Sequence, residues 1–224
     1  MKRNLIILAG MAGLLAVTGC HGRMFNFGIG LKGSGVAKSE KRTVGNFRGL
    51  NVSGAFQVEV ACQKEASLEI TADDNLLKHI KTEVRDGILH IETDGAQLNF
   101  KDFPRAVITA PDLEDFNISG ATRVKVANMK SGDVNVNLSG ASQLAAAGTA
   151  QALVANVSGA SRLDGKDLQA AKVDVKASGA SKADVYASAD LKAEASGASA
   201  VHYYGSPQNI SPKANGASKI SAGS

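Results

Sequence analysis

Apolar and polar residues alternate with period two through most of residues 50–220, in short runs that end at a recurring turn. The turn reads Ser119-Gly120-Ala121-Thr122, Ser139-Gly140-Ala141-Ser142, Ser158-Gly159-Ala160-Ser161, Ser178-Gly179-Ala180-Ser181, Ser196-Gly197-Ala198-Ser199 and Asn215-Gly216-Ala217-Ser218. Its copies recur at a nearly constant step of roughly 18–20 residues, the mark of an internal repeat. Before the turns stand apolar sets: Leu50 and Val52; Phe116 and Ile118; Val136 and Leu138; Ala155 and Val157; Val173 and Val175; Leu191, Ala193 and Ala195. After them runs a second apolar column, Val124, Leu144, Leu163, Ala183, Val201 and Ile220. Period two means strand, and columns that repeat in register mean parallel strands stacked about 4.8 Å apart.

The expected fold is therefore all-β: a parallel β-helix solenoid with coils of about 18–22 residues, its crossovers right-handed by the general rule for parallel strands. Glycine supplies the turn's backbone angles. The Ser/Thr column can bond along the stack or back to the turn. Outward Asn51, Asn117, Asn137 and Asn156 are placed for an amide ladder. Gly-bearing turns at so short a step leave no room for the two helices per coil of a helical solenoid. An antiparallel sandwich could give short alternating strands, but it does not require the same four residues at every turn. An earlier copy, Ser53-Gly54-Ala55, stands well before Ser119. The gap between them fits three coils of about 22 residues each, with turns expected at Ala72-Asp73-Asp74 and Thr93-Asp94-Gly95-Ala96.

The amino-terminal pattern is different. Lys2 and Arg3 precede an apolar run, Leu5 to Val17, too short for the roughly 20 residues that span a bilayer. It ends at Val17-Thr18-Gly19-Cys20 and resembles a bacterial lipoprotein signal. Residues 1–19 are thus expected to be a signal peptide, with Cys20 as the acylated residue and the membrane as a partner through that anchor. His21, where Asp would stand in proteins kept at the inner membrane, favours the outer membrane by resemblance to enterobacterial sorting. Residues 20–41, rich in Gly, Ser and Lys, read as a flexible tether, and 42–224 as the β-helix domain. Phe25 and Phe27 either pack on the first coil or lie at the bilayer interface.

Composition narrows the partners. Hydrophobic residues make up 44% of the chain but aromatics only 4%, with no Trp, so the core is built of small residues. The net charge of +4 includes Lys2 and Arg3, which is too little to argue for nucleic acid. Cys62 is the one cysteine besides Cys20 and continues the inward phase of Phe56, Val58 and Val60. It reads as a small core residue, and no intrachain disulfide is expected.

These residues reach a family. Arg42-Thr43-Val44 to Phe47, then Leu50-Asn51-Val52-Ser53-Gly54-Ala55-Phe56-Gln57-Val58, resemble the opening of the putative autotransporter adhesin, head GIN domain family. The likeness continues through Ile70-Thr71-Ala72-Asp73-Asp74-Asn75-Leu76-Leu77, Gly87-Ile88-Leu89-His90-Ile91 and the Ser-Gly-Ala turns. It covers about residues 40–222. The resemblance implies a parallel β-helix in exported, often lipidated bacterial proteins, and it brings no catalytic residues with it.

No catalytic or cofactor motif stands out: His21, His79, His90 and His202 show no ligand spacing, and the P-loop and nucleophile-elbow patterns are absent. Carboxylates cluster at Asp73-Asp74, at Glu83 with Asp86, and at Asp112-Glu114-Asp115, beside turns where Asp is ordinary. The candidate contacts are a stacked row of Arg123, Arg162, Lys182 and Lys219, suited to anionic glycan or lipopolysaccharide, and the Tyr203-Tyr204 patch. Asp164 and Asp184 stand two residues further on and are expected to compensate the row. The last coil carries no obvious cap, so it is expected to be covered by the amino-terminal region, a partner or a second copy. The expected function is a non-enzymatic structural or adhesive binding module of the cell envelope, with a glycan or an envelope protein as partner. A periplasm-facing scaffold is the alternative, and a polysaccharide-active enzyme the third reading.

Overall fold

The computed structural model describes residues 30–95 and 97–223. The expected signal peptide and Cys20 lie outside the described residues.

Among the described residues, seventeen strands follow in chain order. They are β1 (Leu31–Lys32), β2 (Ala37–Arg42), β3 (Gly49–Gly54), β4 (Gln57–Ala61), β5 (Ser67–Asp73), β6 (Ile80–Arg85), β7 (Ile88–Thr93), β8 (Leu98–Asn99) and β9 (Arg105–Thr109). The regular region then runs through β10 (Asp115–Gly120), β11 (Arg123–Leu138), β12 (Gln143–Val157), β13 (Arg162–Ala177), β14 (Lys182–Ala195), β15 (Ala200–Tyr204), β16 (Asn209–Ala214) and β17 (Lys219–Ala222). Leu77–His79 form a single 3₁₀ turn.

The architecture is a β-solenoid of parallel, stacked strands. From β10 to β17 each coil pairs only in parallel with its neighbours. β11 to β14 each run from one Ser-Gly-Ala turn to the next and change face midway, where the register slips at a bulge, as between Val126 and Met129. A coil is thus one bent strand with two outer faces. The post-turn face begins at residues such as Arg123, and the pre-turn face ends at residues such as Leu138. The inward columns named from the sequence are all buried except Ile220, which packs half-buried against the core.

The turn carries the stack. Gly159 has φ +73°, and a Cβ on it would stand 2.6 Å from the carbonyl oxygen of Gly140 in the coil below. The neighbouring N–H of Ala160 donates to that same oxygen at 2.8 Å. Only glycine satisfies both the angle and the approach. The hydroxyls beside it are buried: Ser142 and Ser161 lie 3.3 Å apart, and Ser181 donates to the carbonyl of Val157 at 3.1 Å. On the pre-turn face the amide ladder forms, Asn137 donating to Asn117 at 3.0 Å and Asn156 to Asn137 at 3.1 Å.

Residues 54–119 depart from the expectation of three parallel coils. β3 lies directly on β10, with Ser53 opposite Ser119 and Gly54 opposite Gly120. The intervening chain stacks one interrupted coil in parallel, with β7 on β3 and β9 on β4. It builds a cap, in which β5 runs antiparallel to β9 and β2, and β6 antiparallel to β7. Asp86 and Gly87, with φ of +52° and +75°, make the tight hairpin between β6 and β7.

The expected tether is also corrected from residue 30 on. β1 pairs with β8, and β2 with β5. Arg42 fastens β2, donating from Nη1 to the carbonyl of Ile80 at 2.6 Å and from Nη2 to that of Leu77 at 3.1 Å. Asp73, a buried carboxylate, accepts from the Gly35 amide at 2.7 Å. Extended chain with paired backbone groups replaces a flexible spacer because β5 would otherwise leave an open edge.

The described amino-terminal strands therefore sit at the opposite end from the last coil and do not cover it. At that last coil, β16 pairs with β14 on one side, and its residues are exposed. Asn215 donates its amide to Ala195, so residues two and four earlier also face β14. Pro212 falls in the alternate set, on the outer edge, where it removes the donor a further strand would need.

Candidate functional site

The post-turn face carries the most distinctive surface. The strand register brings the four predicted basic residues into one row. Arg105, Gln57, Arg123, Gln143, Arg162, Lys182, Ala200 and Lys219 are successive partners across eight strands. The next outward row is Val107, Glu59, Lys125, Ala145, Asp164, Asp184, His202 and Ser221.

Much of the row's charge is already engaged. Asp184 is 3% exposed and collects three partners: Arg162 Nη2 at 3.1 Å, Lys182 Nζ at 3.2 Å and His202 Nδ1 at 2.9 Å. A carboxylate so covered is held only because cations and donors satisfy it. Arg105 pairs with Glu59 at 2.6 Å. Arg123 lies over the Phe103 ring, 5.9 Å from its centroid. The row is a ladder of ion pairs more than a bare cationic rail. The compensating role expected of Asp184 is visible in these contacts, while Asp164 stands half-buried in the same row.

Beside the row lies a groove of about 480 Å³ that the sequence did not announce. Its floor is apolar and built of small residues, with Val107, Ala127, Ala145 and Ala147 in it. Glu59, Lys64, Lys125, Asp164 and Asp167 stand around it. It exists because β9, part of the cap, extends the post-turn sheet beyond β4, and because alanines replace longer outward side chains on β11 and β12. The signal in the sequence was the run Ala145-Ala146-Ala147, where alternation gives way to small residues throughout. A floor of this kind accepts an apolar surface, and rim charges of both signs suit polar-edged partners better than polyanions.

Tyr203 and Tyr204 are separated by the strand's alternation. Tyr203 packs half-buried against the core opposite Val185, while Tyr204 is registered on Tyr186. They do not form one patch. Cys62 is buried, and burial, with Asp112 adding a smaller effect, pushes its thiol up to about 11, as a core cysteine requires.

The carboxylate clusters are engaged locally. Asp74 accepts from Ser34, Asp112 from Ser131 and the Leu113 amide, and Asp115 from Asn135, while Glu83 pairs with Arg85. Among the described residues no group of three His, Cys, Asp or Glu side chains is placed to hold a metal ion. No helix among them is long and apolar enough to cross a membrane.

Comparison with known proteins places this geometry. The family model described as putative auto-transporter adhesin, head GIN domain, matches residues 46–207. A crystal structure from Bacteroides fragilis NCTC 9343, described as a putative adhesin, is 20% identical with a TM-score of 0.71, covering 86% of this chain and 100% of its own. Another putative adhesin, from Parabacteroides merdae ATCC 43184, is 17% identical with a TM-score of 0.56, covering 87% and 99%. A putative lipid binding protein from Parabacteroides distasonis ATCC 8503 is 20% identical with a TM-score of 0.52, covering 87% and 99%. At such identities the likeness is one of fold. No match is found among the curated proteins.

Proposed function

The chain belongs to the putative auto-transporter adhesin, head GIN domain family, and from that premise we propose that it is a non-enzymatic, adhesive binding module of the cell envelope. It is exported by its lipoprotein signal, acylated on Cys20 and held at the outer membrane. Its contact surface is the post-turn face.

The groove carries this reading. Its apolar floor lies on a wide sheet face whose side chains are fixed by strand register rather than by flexible loops. A surface of that kind offers preorganised area, which is what a binding module needs. The ion-paired row beside it supplies a polar rim. A fold neighbour is described as a lipid binding protein, which fits an apolar floor. The balanced rim points away from a polyanion as the principal ligand.

The test places a photo-cross-linking residue at Ala127 in the groove, with a control at Val154 on the pre-turn face, in acylated protein on intact cells. Discrete cross-links from Ala127 that vanish when Ala145→Lys and Ala147→Lys fill the groove support the proposal. Identical products from Ala127 and Val154 overturn it. Protease accessibility on the same cells separates a surface adhesin from a periplasm-facing scaffold.

A further inference from the structure

The described residues hold six exposed large apolar side chains; Leu31 and Val36 lie on the segment where the chain enters the fold, and Phe103 in the loop between β8 and β9. They are linked. Leu31 is registered on Leu98, and Leu98 and Phe103 line one cavity of about 680 Å³. Lys101 lines the same cavity and runs close against Gly35, the neighbour of Val36. Lys32, Lys101, Arg105 and Arg123 stand among them, against Asp102, the exposed Asp74 bonded to Ser34, and the Glu59 already paired with Arg105. Apolar tips with cations around them suit an interface between hydrocarbon and anionic headgroups.

The chain length places such an interface nearby. The stretch from Cys20 to Gly30 reaches at most about 35 Å when extended. Phe25 and Phe27 stand within that stretch. An acyl anchor on Cys20 holds this end of the solenoid within a few nanometres of the bilayer and the last coil farther away.

We propose that this entry end rests on the bilayer, with Leu31, Val36 and Phe103 in the interfacial layer and Lys32 and Lys101 facing anionic headgroups. The inference rests on the acylation of Cys20. It gives the molecule an orientation: the cap lies against the membrane and the coil axis leads away from it, so the groove is presented sideways.

The chain contains no Trp, so a single introduced one reports its own depth. Full-length acylated protein is reconstituted into phosphatidylethanolamine–phosphatidylglycerol vesicles carrying brominated acyl chains. Phe103→Trp and, independently, Leu31→Trp are expected to be quenched several-fold more than Ile210→Trp in the last coil, with circular dichroism unchanged in all three. Equal quenching at both ends overturns the proposal. So does protection of Phe103→Trp from aqueous iodide without quenching by bromolipid, which would place that residue against a protein. Mass spectrometry of Cys20 is read in parallel. A missing acyl mass overturns the anchor itself, whereas an acylated protein without quenching overturns only the bilayer contact.

Discussion

The glycine column permits a test that separates turn conformation from stacking. Three positions contrast in these two respects. Gly132 has an ordinary backbone, and a Cβ there meets nothing within 4 Å. Gly87 has φ +75° and open space. Gly159 has φ +73°, and its Cβ would lie 2.6 Å from the Gly140 oxygen and 3.1 Å from the Gly140 nitrogen. Gly→Ala at each removes about the same entropy from the unfolded chain, which cancels in the comparison. Gly132→Ala is then expected to shift stability by no more than about 0.5 kcal/mol. Gly87→Ala adds the left-handed strain of an L-residue, about 1–2 kcal/mol. Gly159→Ala adds the same strain and must also push two coils apart. That stretches the 2.8 Å bond from Ala160 to Gly140, worth about 0.5–1.5 kcal/mol. Gly159→Ala should therefore cost about 2–3 kcal/mol in all. Urea unfolding followed by far-ultraviolet circular dichroism measures all three. If Gly159→Ala is no worse than Gly87→Ala, close approach of the coils is not what holds glycine in the column.

Other expectations follow from single contacts. Asp184→Ala leaves Arg162, Lys182 and His202 without their shared carboxylate and should cost about 2 kcal/mol, against about 0.5 kcal/mol for Asp164→Ala, by the same unfolding assay. Arg42→Ala removes the donors to Ile80 and Leu77, so amide exchange should accelerate in Ala37–Arg42 while β11 to β14 stay protected; uniform acceleration would contradict a local clamp. The folded state holds the Cys62 proton up to about pH 11, whereas the unfolded chain releases it near the ordinary value of 9.0. Stability is thus expected to fall as pH rises from 9 towards 11, and Cys62→Ser should lessen that fall. At neutral pH, Cys62 in native protein should resist alkylation until denaturant is added.

The regular coils were legible because one residue in each column has a single physical job. Val124, Leu144 and Leu163 recur at fixed distance from a turn whose glycine is held by its backbone angle and by the coil below, so register could be counted by hand. The cap was not legible by the same means. Reading the stretch between Ser53 and Ser119 as three coils assumed that every strand stacks in parallel, and Ser53 lying on Ser119 shows an excursion instead. The Asp86-Gly87 pair between Val84 and Leu89 carried a hairpin signal that the period-two pattern hid. The basic row was foreseen because its members share one offset from the turn. The groove was not, since β9 stacks in parallel on β4 only after an excursion that no Ser-Gly-Ala turn marks in the sequence.

The repeated turn also makes length adjustable. Every coil from β11 to β14 presents the same hydrogen-bonding surface above and below, so a duplicated or deleted coil meets a neighbour it already fits. Each such event moves the far end by about 4.8 Å, the spacing between paired strands. The cap, with its antiparallel strands, cannot be copied in this way and stays as the foundation. The chain is in effect a ruler graduated in half-nanometre steps, on which selection can set how far the last coil stands from the first without redesigning either.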